Sequence, residues 1–502
     1  MRSWPVREHA EAGIFVFTIS IKSGISLTYT FSSSMIGTID WGDGSETEIS
    51  SSTYGAKSHE YSARGTYFIV LVGKIYRLGF GSISTSSKGK ALVSINTPFP
   101  PMPSDAMRPY YFPLYEMFAN CENLVYVPTG LFANYVGDEV YFNRAVSMFL
   151  NCSSLVSIPY DLFKGIHFGG TGTDVRSMGG LFNGCSSLMT IPDEIFRNSE
   201  LSFFTNARNL FANCSSITRV PEGLFDRLTN ITDFMRVFYQ CRALWTIPSG
   251  LFDCCTAVTT FEDAFMRCDL RAIPSGLFDN CPSVTSFEST FRENSNLLSI
   301  PDRLFAGKSL ATTFYYCFEA CSSLAHIGDG IFSGCAAATT FTGLFDSCYA
   351  VTVIPAGLFD DCVNARTFAY AFSNTSISSI DEDIFANCPL VTSFQGTFNQ
   401  GSYSSQIVAR LTEIPAGLFA HNPAVQNFSS TFERTNLNFI PLTLFDNCPN
   451  VTTFEFCFRD AHGTSQYPVP ELWNQYSGVT SRGCFTRFNA SNRADIPSGW
   501  GG

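Results

Sequence analysis

The sequence predicts a mainly β protein in which a small N-terminal β-sandwich precedes a solenoid of about 14 coils. Three observations support this prediction. The motif Ile-Pro-x-x-Leu-Phe returns about every 27 residues along most of the chain. Most of the 49 Phe occupy fixed positions of this repeat. The first hundred residues lack the repeat and show short alternating apolar stretches instead.

Residues 1–82 are predicted to form the sandwich. Apolar stretches such as 14–19 and 67–72 predict strands. Two motifs lie between and beside them, Asp-Trp-Gly-Asp-Gly at 40–44 and His-x-Tyr-x-x-x-Gly-Thr-Tyr at 59–67. The first predicts a strand that ends in a hairpin turn.

These two motifs together resemble the PKD-type immunoglobulin-like module. The resemblance covers roughly residues 12–80 and implies an antiparallel β-sandwich. Asp43 is expected to be a turn residue in that hairpin, and a calcium ligand is the alternative.

The rest of the chain is divided by composition and by the repeat. Residues 83–112 are rich in Ser, Lys and Pro, which predicts a linker. The repeat extends over 113–460. Residues 461–502 are expected to be degenerate capping repeats, because Trp473 and Trp500 replace the Phe of the motif.

Each coil of 26–27 residues consists of two related halves. One half has the pattern Cys-x-x-Leu-x-x-Ile-Pro-x-x-Leu-Phe, and the other has Cys-x-x-Val-Thr-x-Phe-x-x-x-Phe. The apolar segments predict short strands, and the Pro ends the first of them because it has no N–H for a ladder. The Leu-Phe and Phe-x-x-x-Phe segments predict helical or 3-10 turns that direct Phe into a core.

The 18 cysteines are also placed by the repeat. Most follow a repeat Phe by three residues, and Asn294, Lys308 and Thr375 occupy the same position in other coils. A position that accepts these residues is not half of an obligatory pair, so the sequence predicts mostly reduced thiols that pack as small apolar groups. Cys254-Cys255 and Cys317/Cys321 are the exceptions to test.

The pattern Phe-x-x-Cys-Ser-Ser-Leu-x-x-Ile-Pro-x-Gly-Leu-Phe resembles the BspA-like leucine-rich repeats, in particular their Phe-rich surface-protein branch. The resemblance covers about residues 112–460. It implies a leucine-rich-repeat solenoid. It also implies extracellular adhesion or recognition, in bacteria and in the viruses that infect them.

Charge and motif content narrow the function classes. The net charge is −12, which argues against nucleic acid and anionic membranes as partners. No stretch reaches the length of about 18 apolar residues that a membrane span needs, and neither an export signal nor an anchor is evident. The six His form no metal or nucleophile motif. The sequence therefore predicts a protein that is not an enzyme and that holds no metal or cofactor.

Interruptions of the repeat indicate where a ligand would bind. The array is stretched at 133–148, 164–181 and 399–413. Insertions in a solenoid become loops on one face, and the first two fall in the same half of consecutive coils, so they should lie side by side. The third falls in the other half and should project from a different edge. Neutral insertions are the alternative. The candidate ligand-binding residues are Tyr135, Asp138, Tyr141, Arg144, His167 and Asp174.

The predicted function is non-catalytic recognition or adhesion. Reduced cysteines and the lack of an evident export signal favour a bacteriophage virion component, such as a fibre, decoration or host-binding protein. The alternative is an exported bacterial cell-surface adhesin. The expected partner is a glycan or protein of the host surface, and the N-terminal module would contact other virion or surface proteins.

Overall fold

The structure is a computed structural model of the 502-residue chain. It forms two compact units, residues 1–244 and 245–502, which are treated separately below. The residues that the structure describes are 13–23, 25–81, 89–106, 110–135, 140–169, 176–197, 201–401 and 411–502.

The N-terminal part of the first unit is a six-stranded sheet in which all pairs are antiparallel. Its strand order is β3-β2-β5-β1-β6, and β4 pairs with β2 beside β3. The strands are β1 (Gly13–Ile21), β2 (Thr28–Asp40), β3 (Glu46–Ile49), β4 (Gly55–Glu60), β5 (Gly65–Gly79) and β6 (Leu92–Ile95).

The aromatic core of this sheet follows from the alternation along its strands. Phe15 and Phe17 point inward from β1 and are fully buried, and Phe80 packs against both. Trp41 is buried at the end of β2, and its carbonyl accepts a hydrogen bond from the Tyr61 hydroxyl at 3.0 Å. The predicted antiparallel strands are therefore present. All six belong to one hydrogen-bonded sheet, and the PKD-like sandwich stays a prediction.

The segment that the sequence predicts as a linker contributes to both parts of the first unit. Its strand β6 pairs with β1, and Ser94 forms a parallel bridge with Tyr126 of the first repeat. Phe99 stacks on Phe132 with ring centres 5.4 Å apart. The sheet and the first repeats of this unit thus share backbone hydrogen bonds and a core.

In the second unit, neighbouring repeats are joined by one parallel β-bridge per repeat in the Val-Thr-x-Phe segment. Where a Thr precedes the bridged residue, it can add a side-chain hydrogen bond to the preceding repeat. The hydroxyl of Thr312 donates to the carbonyl of Thr285 at 3.1 Å, and that of Thr339 donates to Thr312 at 3.0 Å. The predicted short strands are therefore reduced to single bridges. The bridged residues are Thr260, Ser286, Thr313, Thr340, Thr367, Ser393, Asn427, Thr453 and Thr480.

The Phe-x-x-x-Phe segment, predicted as a helical or 3-10 turn, forms separate turns instead. The N–H of Phe261 donates to Ser286 of the next repeat at 3.1 Å. The N–H of Ala264 turns back to the carbonyl of Phe261 at 3.0 Å. Asp263 between them has a φ of 54°, in the left-handed region. Because a left-handed residue cannot continue a right-handed helix, the helical prediction is wrong here.

Helix is correspondingly scarce in the described part of the chain. It consists of one α-helical turn, α1 (Leu472–Gln475), and the 3-10 turns Ala133–Tyr135, Arg493–Asp495 and Ser498–Trp500. The prediction of a mainly β protein is confirmed. Three short strands in the first unit, β7 (Tyr110–Pro113), β8 (Val140–Asn143) and β9 (His167–Phe168), form a separate parallel sheet.

The core of the second unit is a column of stacked Phe rings. Phe314, Phe341 and Phe368 are fully buried, and their ring centres are 5.6 and 5.3 Å apart with planes within 7°. Each ring also meets the Leu-Phe ring of the facing half, as Phe341 does with Phe359 at 4.9 Å. Burying such a ring contributes about 2 kcal/mol, so the column stabilises each repeat through its neighbours.

None of the cysteines forms a disulfide, and all but Cys254 are buried. Many of the thiols donate to the Phe carbonyl of the preceding repeat, for example Cys335 to Phe305 at 3.2 Å. At the same position, the Asn294 amide donates to Phe265 at 2.8 Å. Cys and Asn each supply a hydrogen-bond donor for a buried carbonyl, which explains why a polar residue can replace Cys at this position. Burial raises the pKa of the Cys335 thiol to about 12, so these thiols are poor nucleophiles.

Candidate functional site

The first two insertions of the repeat meet in the parallel sheet of the first unit. Tyr141 of β8 is in register with His167 of β9, and Phe142 with Phe168. Phe142 and Phe168 are buried, whereas Tyr141 and His167 are partly exposed. Side chains alternate between the two faces of a strand, so the inward Phe pair holds Tyr141 and His167 together on the outer face. As expected from the sequence, the two insertions lie side by side.

Further aromatic and cationic groups belong to the same region. The Tyr141 and His167 ring centres are 6.5 Å apart, and Gly169 lies against the Tyr141 ring. Arg144 is exposed, and its Cζ lies 5.8 Å from the centre of Tyr115, which is 44% exposed. We call Tyr115, Tyr141, Arg144 and His167 the insertion face. It offers two tyrosine hydroxyls, an imidazole and a guanidinium, which are hydrogen-bonding groups next to aromatic surface.

The other three predicted ligand-binding residues do not lie on the described part of this face. Tyr135 is only 2% exposed and packs against Phe99, Phe132 and Phe142, so its prediction as a ligand contact is wrong. Its position at the start of the insertion suggested a loop, but the 3-10 turn directs it into the core. Asp138 and Asp174 lie outside the described residues.

Most of the third insertion, residues 402–410, also lies outside the described residues. The repeats on either side of it are still joined, because Ser393 bridges Asn427 directly.

Asp43, Ser45 and His59 form a polar cluster in the N-terminal sheet. The carboxylate of Asp43 lies 2.7 Å from His59 Nε2, and the Ser45 hydroxyl lies 3.3 Å from the same nitrogen. A hydrolytic triad needs its serine and its carboxylate on opposite imidazole nitrogens. Both groups contact Nε2 here, so the imidazole cannot relay a proton between them.

The same contacts identify Asp43 as a turn residue, the expectation preferred over a calcium ligand. Its Oδ1 accepts the backbone N–H of Ser45 at 3.0 Å. Burial pushes the pKa of Asp43 upward, but the hydrogen bonds from Ser45 and His59 outweigh this and lower the pKa to about 2. His59 in turn stacks on Trp41 at 5.0 Å, which ties β4 to the hairpin. In the described part of the chain, no three His, Cys, Asp or Glu side chains form a group that could hold a metal ion.

The sequence reasoning missed a second set of partly exposed groups, which lies in the second unit. Tyr316 and Tyr370 occupy the left-handed position of their repeats, with φ of 52° and 57°. Each ring lies against the glycine of the following repeat, Gly343 or Gly396, and leaves no room there for a Cβ. The signal was present in the printed sequence as an alternation of Phe-x-Tyr-x-Phe and Phe-x-Gly-x-Phe in consecutive repeats at 314–318, 341–345, 368–372 and 394–398.

Comparison with known proteins places the repeat in a family. Residues 180–339, 242–407 and 318–460 match the BspA type leucine rich repeat region, and together these matches cover more than half of the chain. No curated protein sequence matches the chain. No helix among the described residues is long and apolar enough to span a membrane.

Solved structures show only distant likeness. The Toll–Spatzle complex, from Drosophila, shares 14% identity over 75% of this chain and 41% of that one, with a TM-score of 0.25. This chain thus spans less than half the length of that protein. A leucine rich cell surface protein from Faecalibacterium prausnitzii shares 14% identity over 81% and 87% of the two chains, with a TM-score of 0.24. The TLR13–ssRNA13 complex shares 10% over 78% and 70%, with a TM-score of 0.17.

Likenesses with TM-scores of this size carry no argument about function. The match to the repeat profile does not depend on them, because it rests on the pattern of Phe, Cys, Leu and Pro that builds the observed bridges and the ring column. The chain belongs to the BspA-type leucine-rich repeat family.

Proposed function

We propose that this protein is a non-catalytic recognition or adhesion protein that acts at a cell surface and that binds its partner through the insertion face. In this proposal the repeats stack as a solenoid of about 14 coils and serve as a scaffold. The observation that carries the proposal is the pairing of Tyr141 with His167 on the outer side of a sheet built from two separate insertions. Membership of a family of surface repeat proteins supports it.

The energetic reason lies in how the sheet fixes these side chains. Phe142 and Phe168 anchor the two strands in the core, so Tyr141 and His167 need little further ordering when a partner binds. Tyrosine offers a large contact area and a hydroxyl with few rotatable bonds, which is why it is enriched in recognition surfaces. Arg144 adds a planar cation that can bind carboxylate or phosphate groups of a partner.

The test is binding of fluorescently labelled protein to bacterial cells by flow cytometry. The double variant Tyr141→Ser/His167→Ser should lower the half-saturation affinity at least 10-fold. The matched control is Tyr126→Ser, which removes another exposed tyrosine of the same unit. Equal binding by the double variant and the wild type would show that recognition does not use the insertion face.

A phage particle is the second candidate setting for the same recognition role. The buried thiols, none of which forms a disulfide, favour it, because they suit a protein that folds in a reducing compartment. Antibody labelling of intact cells and of purified particles from the same culture separates the two settings. Label on cells alone supports an exported adhesin, and label on particles alone supports a virion component.

A further inference from the structure

We infer that the second unit carries a separate binding surface for a neutral, extended carbohydrate chain, formed by Tyr316, Tyr370 and the uncharged polar rows beside them. The inference deepens the proposed recognition role by naming a ligand class, and it uses a surface other than the insertion face.

The two tyrosines are held in place before any ligand arrives. Each ring lies against the backbone of a glycine, Gly343 beneath Tyr316 and Gly396 beneath Tyr370. The amide of Gln395 donates to the Tyr370 hydroxyl at 2.9 Å. Tyr316 is held by Arg292, whose Cζ lies 5.0 Å from the ring centre. Both rings are partly exposed, so each presents a fixed aromatic surface to solvent.

The backbone conformation of these two tyrosines lowers the stability of the fold slightly. A left-handed φ costs a residue with a Cβ about 1–2 kcal/mol relative to the right-handed region. Gly343 and Gly396 avoid this cost in the repeats that follow the two tyrosines. Asp263, Ser289, Ser430 and Phe456 adopt the same conformation in other repeats, so the conformation itself belongs to the repeat. What distinguishes positions 316 and 370 is a partly exposed tyrosine ring that lies over a glycine of the next repeat.

A row of uncharged side chains lies beside the two rings, and the charged groups next to Tyr316 are Arg292, which is paired with Glu319, and Asp346. We call the bridged residues of five consecutive repeats and the residues two positions later the polar band. Its members are Thr313, Tyr315, Thr340, Thr342, Thr367, Ala369, Ser393, Gln395, Asn427 and Ser429. Glu288 and Glu455 hold the corresponding positions just outside it. The chain as a whole has a net charge of −12, whereas the polar band carries no charged side chain. The band therefore differs in its chemistry from the rest of the surface.

The band offers donors and acceptors in fixed positions. The Asn427 amide donates to Gln395 Oε1 at 3.3 Å, so the amide that holds Tyr370 is itself oriented. The hydroxyls of Thr342 and Thr367 lie 3.4 Å apart in adjacent repeats. Hydroxyl and amide groups of this kind can bind the hydroxyls of a sugar without a charge on either side.

Together these features fit a carbohydrate chain. The C–H-rich face of a pyranose ring packs on an aromatic ring, and its equatorial hydroxyls need neutral hydrogen-bonding partners at the edges. Tyr316 and Tyr370 are two repeats apart, which at about 5 Å per repeat places them roughly 10 Å from each other. A chain that follows the repeats can thus stack on both rings while its hydroxyls contact the polar band.

The experiment is affinity electrophoresis of the full chain in native gels that contain hydroxyethyl cellulose, laminarin, galactomannan or amylopectin, with alginate as an anionic comparison. At least one neutral polysaccharide should retard the protein, and alginate should not. Tyr370→Asn should weaken that retardation at least 10-fold, and Tyr316→Asn should weaken it about 5-fold. Asn tolerates the left-handed region, so both variants should keep the thermal midpoint of the wild type or raise it.

The matched control is Tyr467→Asn, which removes a tyrosine of the same unit that is 42% exposed and lies away from the polar band. It should leave the retardation unchanged. The inference is overturned if no neutral polysaccharide retards the protein, if alginate alone does, or if the Tyr316 and Tyr370 variants are retarded like the wild type. If the Tyr141→Ser/His167→Ser variant loses cell binding but is still retarded by the polysaccharide, the two surfaces act separately. That result tests the insertion face and leaves the evidence for the polysaccharide surface intact.

Discussion

The insertion face and the Tyr316–Tyr370 surface place aromatic groups on the outside of the protein by opposite means. In the first unit the repeat is interrupted, and extra strands place Tyr141 next to His167. Between residues 314 and 398 of the second unit the repeat continues without an insertion, and single substitutions at one position place Tyr370 over Gly396. A regular array can therefore hold partly exposed tyrosine rings without any insertion, provided that a neighbouring repeat supplies the glycine that makes room for the ring.

The largest expected effect is the loss of stability when a core Phe of either region is replaced by Ala. Phe341→Ala removes a ring stacked between Phe314 and Phe368 and should lower the free energy of unfolding of the second unit by about 3–5 kcal/mol. Phe142→Ala should have a loss of similar size in the first unit, because Phe142 is also fully buried. Hydrogen exchange read by mass spectrometry measures the two losses separately.

Each substitution should also affect only its own surface. Phe341→Ala is expected to weaken polysaccharide retardation and to leave cell binding through the insertion face unchanged, and Phe142→Ala should do the reverse. A matched control is Phe68→Ala, which removes a ring that is 60% exposed and should cost less than about 1 kcal/mol. Weakening of both surfaces by either core variant would mean that the two regions are coupled rather than independent.

A smaller difference in stability should separate Gly→Ala substitutions at the two glycines that lie against aromatic rings. Gly396 has a φ of 58°, so Gly396→Ala brings both a strained backbone and a clash with Tyr370. We expect it to cost about 2–3 kcal/mol and to displace the ring. Gly169 lies outside the left-handed region, and the three atoms nearest to its new Cβ all belong to the Tyr141 side chain, with Cδ1 at 2.9 Å. Because that ring can shift, Gly169→Ala should cost less than about 1 kcal/mol.

The control for the backbone strain alone is Gly307→Ala, where φ is 74° and the added Cβ meets no atom within 4 Å. Its expected cost of about 1 kcal/mol is the left-handed penalty without a clash. Urea denaturation curves of the three variants give the ranking. If Gly396→Ala is at least as stable as Gly307→Ala, the Tyr370 ring is not held in place by contact with Gly396.

The difference between the two regions also explains what could be predicted from sequence. The repeat, its Phe core and the neighbouring position of the first two insertions follow from the spacing, because each repeat has the same contacts as the next. Single-sequence patterns could not show that the turns are left-handed, since Ser289, Tyr316 and Tyr370 have no preference for that conformation. Those turns are fixed by hydrogen bonds to the adjacent repeat, which are visible only in three dimensions.

The candidate site shows the same limit. Tyr141 and His167 could be chosen from the insertions, because extra residues between repeats must go to the surface. The burial of Tyr135 could not be foreseen, since it depends on a pocket formed by Phe99, Phe132 and Phe142. The role of the Cys position also needed the structure, because the shared property of Cys and Asn there is a donor for a carbonyl of another repeat.

The smallest expected effect is a difference in the response of the two units to acid. In the first unit, the pKa of Asp43 is lowered from 3.8 to about 2, so its contribution to folding is present above about pH 4 and is lost as the pH falls toward 2. In the second unit, burial raises the pKa of Asp346, against the opposing hydrogen bonds from Asn374 and Ser347. Its contribution is therefore full below about pH 4 and is lost as the pH rises through its folded value.

Acidification from pH 6 to pH 2 should thus weaken the hairpin around Asp43 and strengthen the repeat around Asp346. Asp43 is partly exposed, so we expect a loss of only about 1 kcal/mol there. Hydrogen exchange at a series of pH values, corrected for intrinsic exchange rates, measures both regions in one protein. Asp43→Asn should abolish the acid response of residues 40–61, and Asp346→Asn should abolish that of residues 341–374. Parallel acid responses in the two regions would contradict the opposite signs, because hydrogen bonds from Ser45 and His59 stabilise a charged carboxylate in one unit while burial disfavours it in the other.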